Sequence, residues 1–188
     1  CGCGIVGSML SKYNKVKTMH ASDINQKTIS NAKRNYQLHG LHADLRVGDL
    51  YTPWAGKKFD NIICDVSGVS DKIAEISGWF GEYAPCNSGI DGTDLGIEII
   101  QKTPKYLNNS GKFYMAILTL SNHLKLINKL KECFINVNII REEEYFIPKE
   151  MMDSVDLLNE LQDNKCISVE RRFGMILWKS IIIEAFNN

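Results

Sequence analysis

The sequence has no excess of either charge: 22 lysines and arginines stand against 22 aspartates and glutamates over 188 residues. Domains that bind nucleic acid mainly through its phosphates carry a basic surplus, so this balance argues against that class and leaves room only for a local basic patch. Long apolar runs are missing too. The longest, such as Ile181-Ile182-Ile183, fall far short of the ~20 residues that a membrane-crossing helix needs, so no membrane partner is expected. Metal-ligand spacing is also lacking. There is no C-x-x-C pair, and His20, His39, His42 and His123 form no grouping with the cysteines, so no metal site is expected. Of the six cysteines only Cys1 and Cys3 lie close together, which reads as reduced thiols in a cytoplasmic protein rather than a disulfide framework. The chain opens on C-G-C-G rather than on the basic segment of a secretory leader.

What remains is an ordinary globular composition, 44% hydrophobic and 23% charged. A chain of this length fits a single domain, 1–188, that buries roughly 70% of its unfolded surface. Residues 16–22 read as a strand closed by Asp23. Ile29, Ala32 and Tyr36 then recur at helical spacing over about 13 residues, with Gly40 as the stop. Residues 44–47 and 59–64 read as strands, the second apolar enough for a buried parallel position. Residues 65–92 are irregular and hold Gly68, Gly78, Gly81, Gly89 and Gly92, with a short helix over 71–80. Further helices are expected over 93–107, 121–133 and 148–164, and strands over 112–118, 134–140 and 174–186; residues 8–13 look short and mixed. Strands alternating with helices imply an α/β, doubly wound, mostly parallel sheet, closed by an antiparallel pair at one edge. In such sheets ligands sit at the carboxyl ends of the strands.

Three motifs fall at such ends. Gly2-Cys3-Gly4-Ile5-Val6-Gly7 satisfies G-x-G-x-x-G, where glycine lets the backbone approach a ligand at a helix start. Asp23 lies 19 residues after Gly4, where a carboxylate can accept both hydroxyls of a ribose. Gly48-Asp49-Leu50 comes after the next strand; Asp49 can accept from the exocyclic amine of adenine, and Leu50 and Ile24 can flank the ring. This third position separates S-adenosylmethionine (SAM) from a nicotinamide dinucleotide, because nicotinamide enzymes have no comparable requirement there.

The stretches C-G-C-G-I-V-G, S-D-I-N, V-G-D-L, F-D-N-I-I-C-D and L-N-N-S-G-K-F-Y resemble the class I SAM-dependent methyltransferases over residues 2–118. The order F-D-N-I-I-C-D-V-S-G, then S-G-I-D-G-T-D-L-G-I-E-I-I, resembles the HemK-like branch, which methylates a glutamine amide in release factors. The resemblance implies a Rossmann-like, seven-stranded, mostly parallel sheet with an antiparallel edge strand, whose first strand is expected upstream of residue 1. The natural protein is accordingly expected to be longer. It also implies SAM as cofactor, held by Gly2, Cys3, Gly4, Asp23, Ile24, Asp49, Leu50 and Asp65.

The branch carries Asn-Pro-Pro-Tyr where this chain reads Asp65-Val66-Ser67-Gly68. In the family the first residue and the following backbone carbonyl grip the acceptor nitrogen, which assigns the catalytic positions to Asp65 and Val66. Asp65 keeps an acceptor; Ser67 replaces a rigid proline, and Gly68 removes the ring. The expected substrate is a nitrogen or other nucleophile of a protein side chain or small molecule. Two rival readings are a methyltransferase-like module that binds a protein partner without catalysis, and a nicotinamide oxidoreductase. Trp79, Phe80 and Tyr83 are candidates to wall an acceptor pocket, Met151-Met152 a hydrophobic cover, and Glu142-Glu143-Glu144 solvent-exposed charge.

Overall fold

A computed structural model describes residues 1–13, 16–66, 68–80, 86 and 88–188, which divide into two units, Cys1–Lys57 and Lys58–Asn188. The first holds helix α1 (Ile5–Tyr13), strand β1 (His20–Asp23), helix α2 (Gln26–Leu38) and strand β2 (Asp44–Val47). Asn25 starts α2 by accepting from the backbone nitrogens of Lys27 and Thr28 at 2.8 and 3.2 Å. Its expected apolar stripe, Ile29, Ala32 and Tyr36, is buried. β1 and β2 pair in parallel from His20↔Asp44 to Asp23↔Val47. The strand expected over 16–22 therefore starts later, because its partner supplies only four residues to the ladder. The mixed segment expected over 8–13 belongs to α1, which begins at Ile5. Gly7 lies inside this helix rather than in a turn, and Ser8 closes onto Gly4 O through both its nitrogen (2.9 Å) and its hydroxyl (2.7 Å).

The second unit holds β3 (Phe59–Cys64), α3 (Asp71–Ser77), α4 (Asp94–Lys102), β4 (Leu107–Leu118), α5 (His123–Cys133), β5 (Asn136–Phe146), α6 (Lys149–Met152), α7 (Val155–Asp163), β6 (Glu170–Arg172) and β7 (Met175–Phe186). Its sheet runs β3-β4-β7-β5, with β6 also on β7. Along β4 and β7 the buried pairs Phe113↔Ala185, Met115↔Ile183 and Ile117↔Ile181 repeat every second residue. Gly96 of α4 lies so close to α5 that a Cβ would meet Leu126 at 2.8 Å. A second core gathers Ile73 of α3, Met151 of α6, Leu158 and Leu161 of α7, and Ile176 of β7.

The helix expected over 93–107 ends at Lys102 and continues as a 3-10 turn over Thr103–Tyr106, since Pro104 has no N–H for an α-helical bond. α5 is capped by Asn122, not Ser121. The 148–164 segment breaks into α6 and α7. Two features of the expected sheet are corrected. The seven described strands fall in two separately hydrogen-bonded sheets of two and five strands. The antiparallel strand is not at the edge: β7 lies between β4 and β5, antiparallel to both. The apolar alternation of Ile181, Ile183 and Ala185 suits a central position, whereas β5, which runs on through Arg141 and three glutamates, suits an edge.

Candidate cofactor and acceptor sites

The three motif glycines meet different demands. Gly2 turns the chain at φ +55° with open space where a side chain would stand. At Gly4, with φ +82°, a Cβ would press on Tyr36 Cε2 at 3.0 Å and on Ala32 Cβ at 3.3 Å. At Gly7 it would lie 2.4 Å from Tyr36 Oη. The second and third glycines thus let α1 close on α2, and the first leaves a backbone surface uncovered. Asn35 Nδ2, donating to Cys3 O at 2.9 Å, ties this turn to α2.

Asp23 ends β1 beneath the turn. Its Oδ2 accepts from the nitrogens of Gly2 and Cys1, each at 3.0 Å, and its Oδ1 from the Asn25 nitrogen at 3.0 Å. Burial alone would raise its pKa; the backbone donors Asn25 and Gly2 act against burial, and the carboxyl lies below its ordinary value. Ile24, beside it, is exposed.

The turn after β2 is anchored to β1. Gly48 N donates to Asp23 O at 3.0 Å, and a Cβ on Gly48 would meet Pro53 Cγ at 2.4 Å. Trp54 Nε1 donates to Ser22 Oγ at 3.0 Å. Arg46 stacks 4.6 Å from the Trp54 ring, donates to both Asp44 oxygens and reaches Pro53 O at 2.7 Å. Held this way, Asp49 is exposed and its carboxylate has no partner among the described residues; Leu50 comes next at φ +43°. The sequence reading missed Ser22, Arg46 and Trp54. A signal existed for Arg46, which stands two residues from Asp44 and so on the same strand face.

Gly2, Cys3, Gly4, Asp23, Ile24, Asp49 and Leu50 therefore lie in one unit. An open glycine turn, an anchored carboxylate, a free carboxylate and an exposed apolar side chain fit the nucleoside portion of SAM. Asp65 and Val66 lie in the other unit, directly after β3. Cys64, the last strand residue, is buried, and burial pushes its thiol up to about 12. Asp65 is exposed, with no hydrogen-bond or ion-pair partner among the described residues; Val66 is half-buried. At Gly68 a Cβ would meet Val66 O at 3.8 Å and nothing nearer among the described residues. Ser67 and Tyr83 lie outside the described residues.

Backbone contacts fix the chain beyond Gly68. Ser70 N donates to Leu120 O at 3.0 Å, and a Cβ on Gly92 would lie 2.5 Å from Val69 C. Lys125 Nζ grips Asp91 Oδ2 at 2.8 Å, while Thr93 bonds Asp91 Oδ1. Of the candidate wall residues, Trp79 is exposed and Phe80 packs on the second core; Met151 is buried and Met152 exposed. Among the described residues no group of three His, Cys, Asp or Glu side chains could hold a metal, and no helix is long and apolar enough to cross a membrane.

The family model of the methyltransferase small domain matches residues 1–65. The chain is 25% identical over 127 residues to a ribosomal protein uL3 glutamine methyltransferase of Xanthomonas campestris pv. campestris, covering 65% of this chain and 41% of that protein. It is 27% identical over 121 residues to a release factor glutamine methyltransferase of Thermodesulfovibrio yellowstonii, covering 62% of this chain and 43% of that protein. The chain thus spans about two-fifths of the length of these curated relatives. A crystal structure of a methyltransferase from Pyrococcus furiosus covers 100% of this chain, which covers 72% of it, at a TM-score of 0.58 and 12% identity. The fold is the Rossmann-like methyltransferase fold, and the resemblance read from the motifs is borne out, with SAM the methyl donor it implies.

Proposed function

We propose that this chain is a SAM-dependent methyltransferase acting on the side-chain amide nitrogen of a protein glutamine. The observation that carries the cofactor reading is the Gly2–Asp23 bond at 3.0 Å next to the free Asp49 carboxylate, one turn after the paired strand. Asp23 has spare acceptor capacity for ribose hydroxyls beyond its three backbone donors. Asp49 accepts from the adenine amine between Ile24 and Leu50. When bound, SAM supplies a methyl group already activated on a sulfonium, so no covalent catalysis is asked of the side chains. What this chain must do is orient the nucleophile. Asp65, exposed and unpartnered, accepts an amide N–H, and the Val66 carbonyl takes the second. Both curated relatives are glutamine methyltransferases by name, which supports a protein amide over a small molecule.

Calorimetric titration tests the cofactor reading. SAM is expected to bind, Asp23→Ala and Asp49→Ala to weaken it, and NADH not to bind; the reverse preference would establish the oxidoreductase reading. Gly68 favours a second reading, a partner-binding module without catalysis. That reading expects SAM binding with no transfer of labelled methyl to protein acceptors, whereas the leading one expects transfer that Asp65→Ala abolishes.

A further inference from the structure

Three aromatic rings stand in a row on the second unit. Trp79, just past α3, lies 5.6 Å from Trp178 of β7, and Trp178 stacks at 4.9 Å and 26° on Tyr145, its cross-strand partner in β5. Trp178 Nε1 is engaged by Phe146 O at 3.2 Å, which fixes the middle ring. The outer two, Trp79 and Tyr145, are exposed. Leu118, the last residue of β4, pairs with Ser180, so Trp178 lies beyond the carboxyl end of β4. That is the end of the sheet at which β3 delivers Asp65.

The hairpin of β6 and β7 extends the apolar surface. Arg172 pairs with Met175 across a two-residue turn, Phe173-Gly174, with both residues at positive φ, +51° and +77°. Asn-Gly is the natural occupant of such a turn. A phenylalanine there is strained, and at 98% exposure it gains no packing in return. Phe146 and Met175 are exposed as well. The charges beside the row cancel in pairs: Arg172 and Lys179 each bridge Glu144 and Glu170. Arg172 and Lys179 are thereby neutralised and Arg171 donates to Asn159 Oδ1, so among the described residues no cluster of free cations flanks the rings, which suits a nucleic acid poorly. Fixed, amphipathic rings ringed by neutralised charge suit the apolar side chains of a polypeptide.

We infer that the row Trp79–Trp178–Tyr145, extended by Phe173, is the surface on which the acceptor protein docks through apolar residues near its methylated glutamine. This names the partner surface of the site proposed above and rests on that reading. Binding of purified Thermodesulfovibrio yellowstonii release factor and Xanthomonas campestris ribosomal protein uL3 to the full chain tests it, with SAM binding measured separately. At least one protein is expected to bind. Tyr145→Ala and Phe173→Asn are expected to weaken it by at least about tenfold, the range of truncated interface anchors. Ile135→Ser, before β5 at the opposite end of the sheet, is the control and changes nothing. Phe173→Asn matters most, since it suits the turn better and raises the melting temperature; a merely structural Phe173 would show that gain with unchanged binding. Binding of neither protein, or binding unchanged by both variants, overturns the inference. So does loss in these variants of single-stranded RNA binding or of self-association in place of acceptor binding. Failed docking with SAM bound leaves the methyltransferase reading intact, whereas docking without SAM binding overturns that reading alone.

Discussion

The main-chain nitrogen of Gly2 donates to Asp23 Oδ2 at 3.0 Å, and Asn25 N holds the other oxygen at 3.0 Å. The carboxylate is thereby locked in place by the glycine turn and by the entry to α2. Asp23→Asn puts an NH2 group against one of these donors. Each lost bond to a charged group is worth about 1.5–3 kcal/mol, so SAM affinity should fall roughly 10- to 100-fold. The same contacts have a pH signature. The folded pKa of Asp23 is lowered, so its stabilisation is complete above the unfolded value and is lost as pH falls through the folded one, below about pH 4. Unfolding free energies between pH 5 and pH 3 should decline less steeply for Asp23→Asn than for wild type. An identical slope would show that Asp23 gains nothing from these donors.

Thiol chemistry separates the turn from the core. Cys3 is exposed beside the open Gly2 position, whereas Cys64 is buried with its thiol pushed up to about 12. Iodoacetamide at pH 8 should label Cys3 rapidly and leave Cys64 untouched until the chain unfolds. Saturating SAM should slow labelling of Cys3, read by peptide mass spectrometry. Unchanged labelling would remove this turn from the cofactor site.

These contrasts show what was legible in the sequence. The α2 stripe and the spacing from Gly4 to Asp23 are local patterns and were readable. α1 was not, because Gly7 looks like part of a turn until Tyr36, 29 residues on, is seen to fill its flank. The continuation of β5 through Glu144 was hidden for the same reason. Glu144 is tolerated in a strand by Arg172 and Lys179, which the sheet brings to it, and Glu143 pairs with Arg141 two residues before it. The interior place of antiparallel β7 depends on which strand can bury both edges, a competition that no single segment displays. Asp65 was legible as a strand-end carboxylate, but the anchoring of the Asp49 turn by Arg46 and Trp54 depends on stacking across a loop.

Gly7 and Tyr36 offer a coupled test of the α1–α2 contact. A Cβ on Gly7 would stand 2.4 Å from Tyr36 Oη, so Gly7→Ala should destabilise by about 1–3 kcal/mol, the usual cost of overpacking. That oxygen is buried with no hydrogen-bond partner among the described residues, so Tyr36→Phe should be neutral or stabilising. The double variant should recover most of the loss, because the clashing atom is gone. Additive effects in urea unfolding would exclude direct contact as the cause.

His123 gives the second unit a pH dependence of its own. It begins α5, where the helix dipole disfavours positive charge. Burial is the largest influence and lowers its pKa; Lys179 acts in the same direction, while the Ser121 carbonyl and Glu142 pull the other way without prevailing. Because the folded pKa lies below the unfolded value of about 6.5, neutral His123 favours the fold. The stabilisation is complete above that value and is lost as pH falls through the lower folded one. His123→Gln keeps a side chain of similar size without the titration. Urea unfolding of wild type should show a loss of stability from pH 7.5 to pH 5 that the variant largely lacks, and the His123 ring resonance should titrate below those of exposed histidines. Equal slopes in the two proteins, or a ring that titrates with the exposed histidines, would show that burial at the start of α5 does not govern this residue.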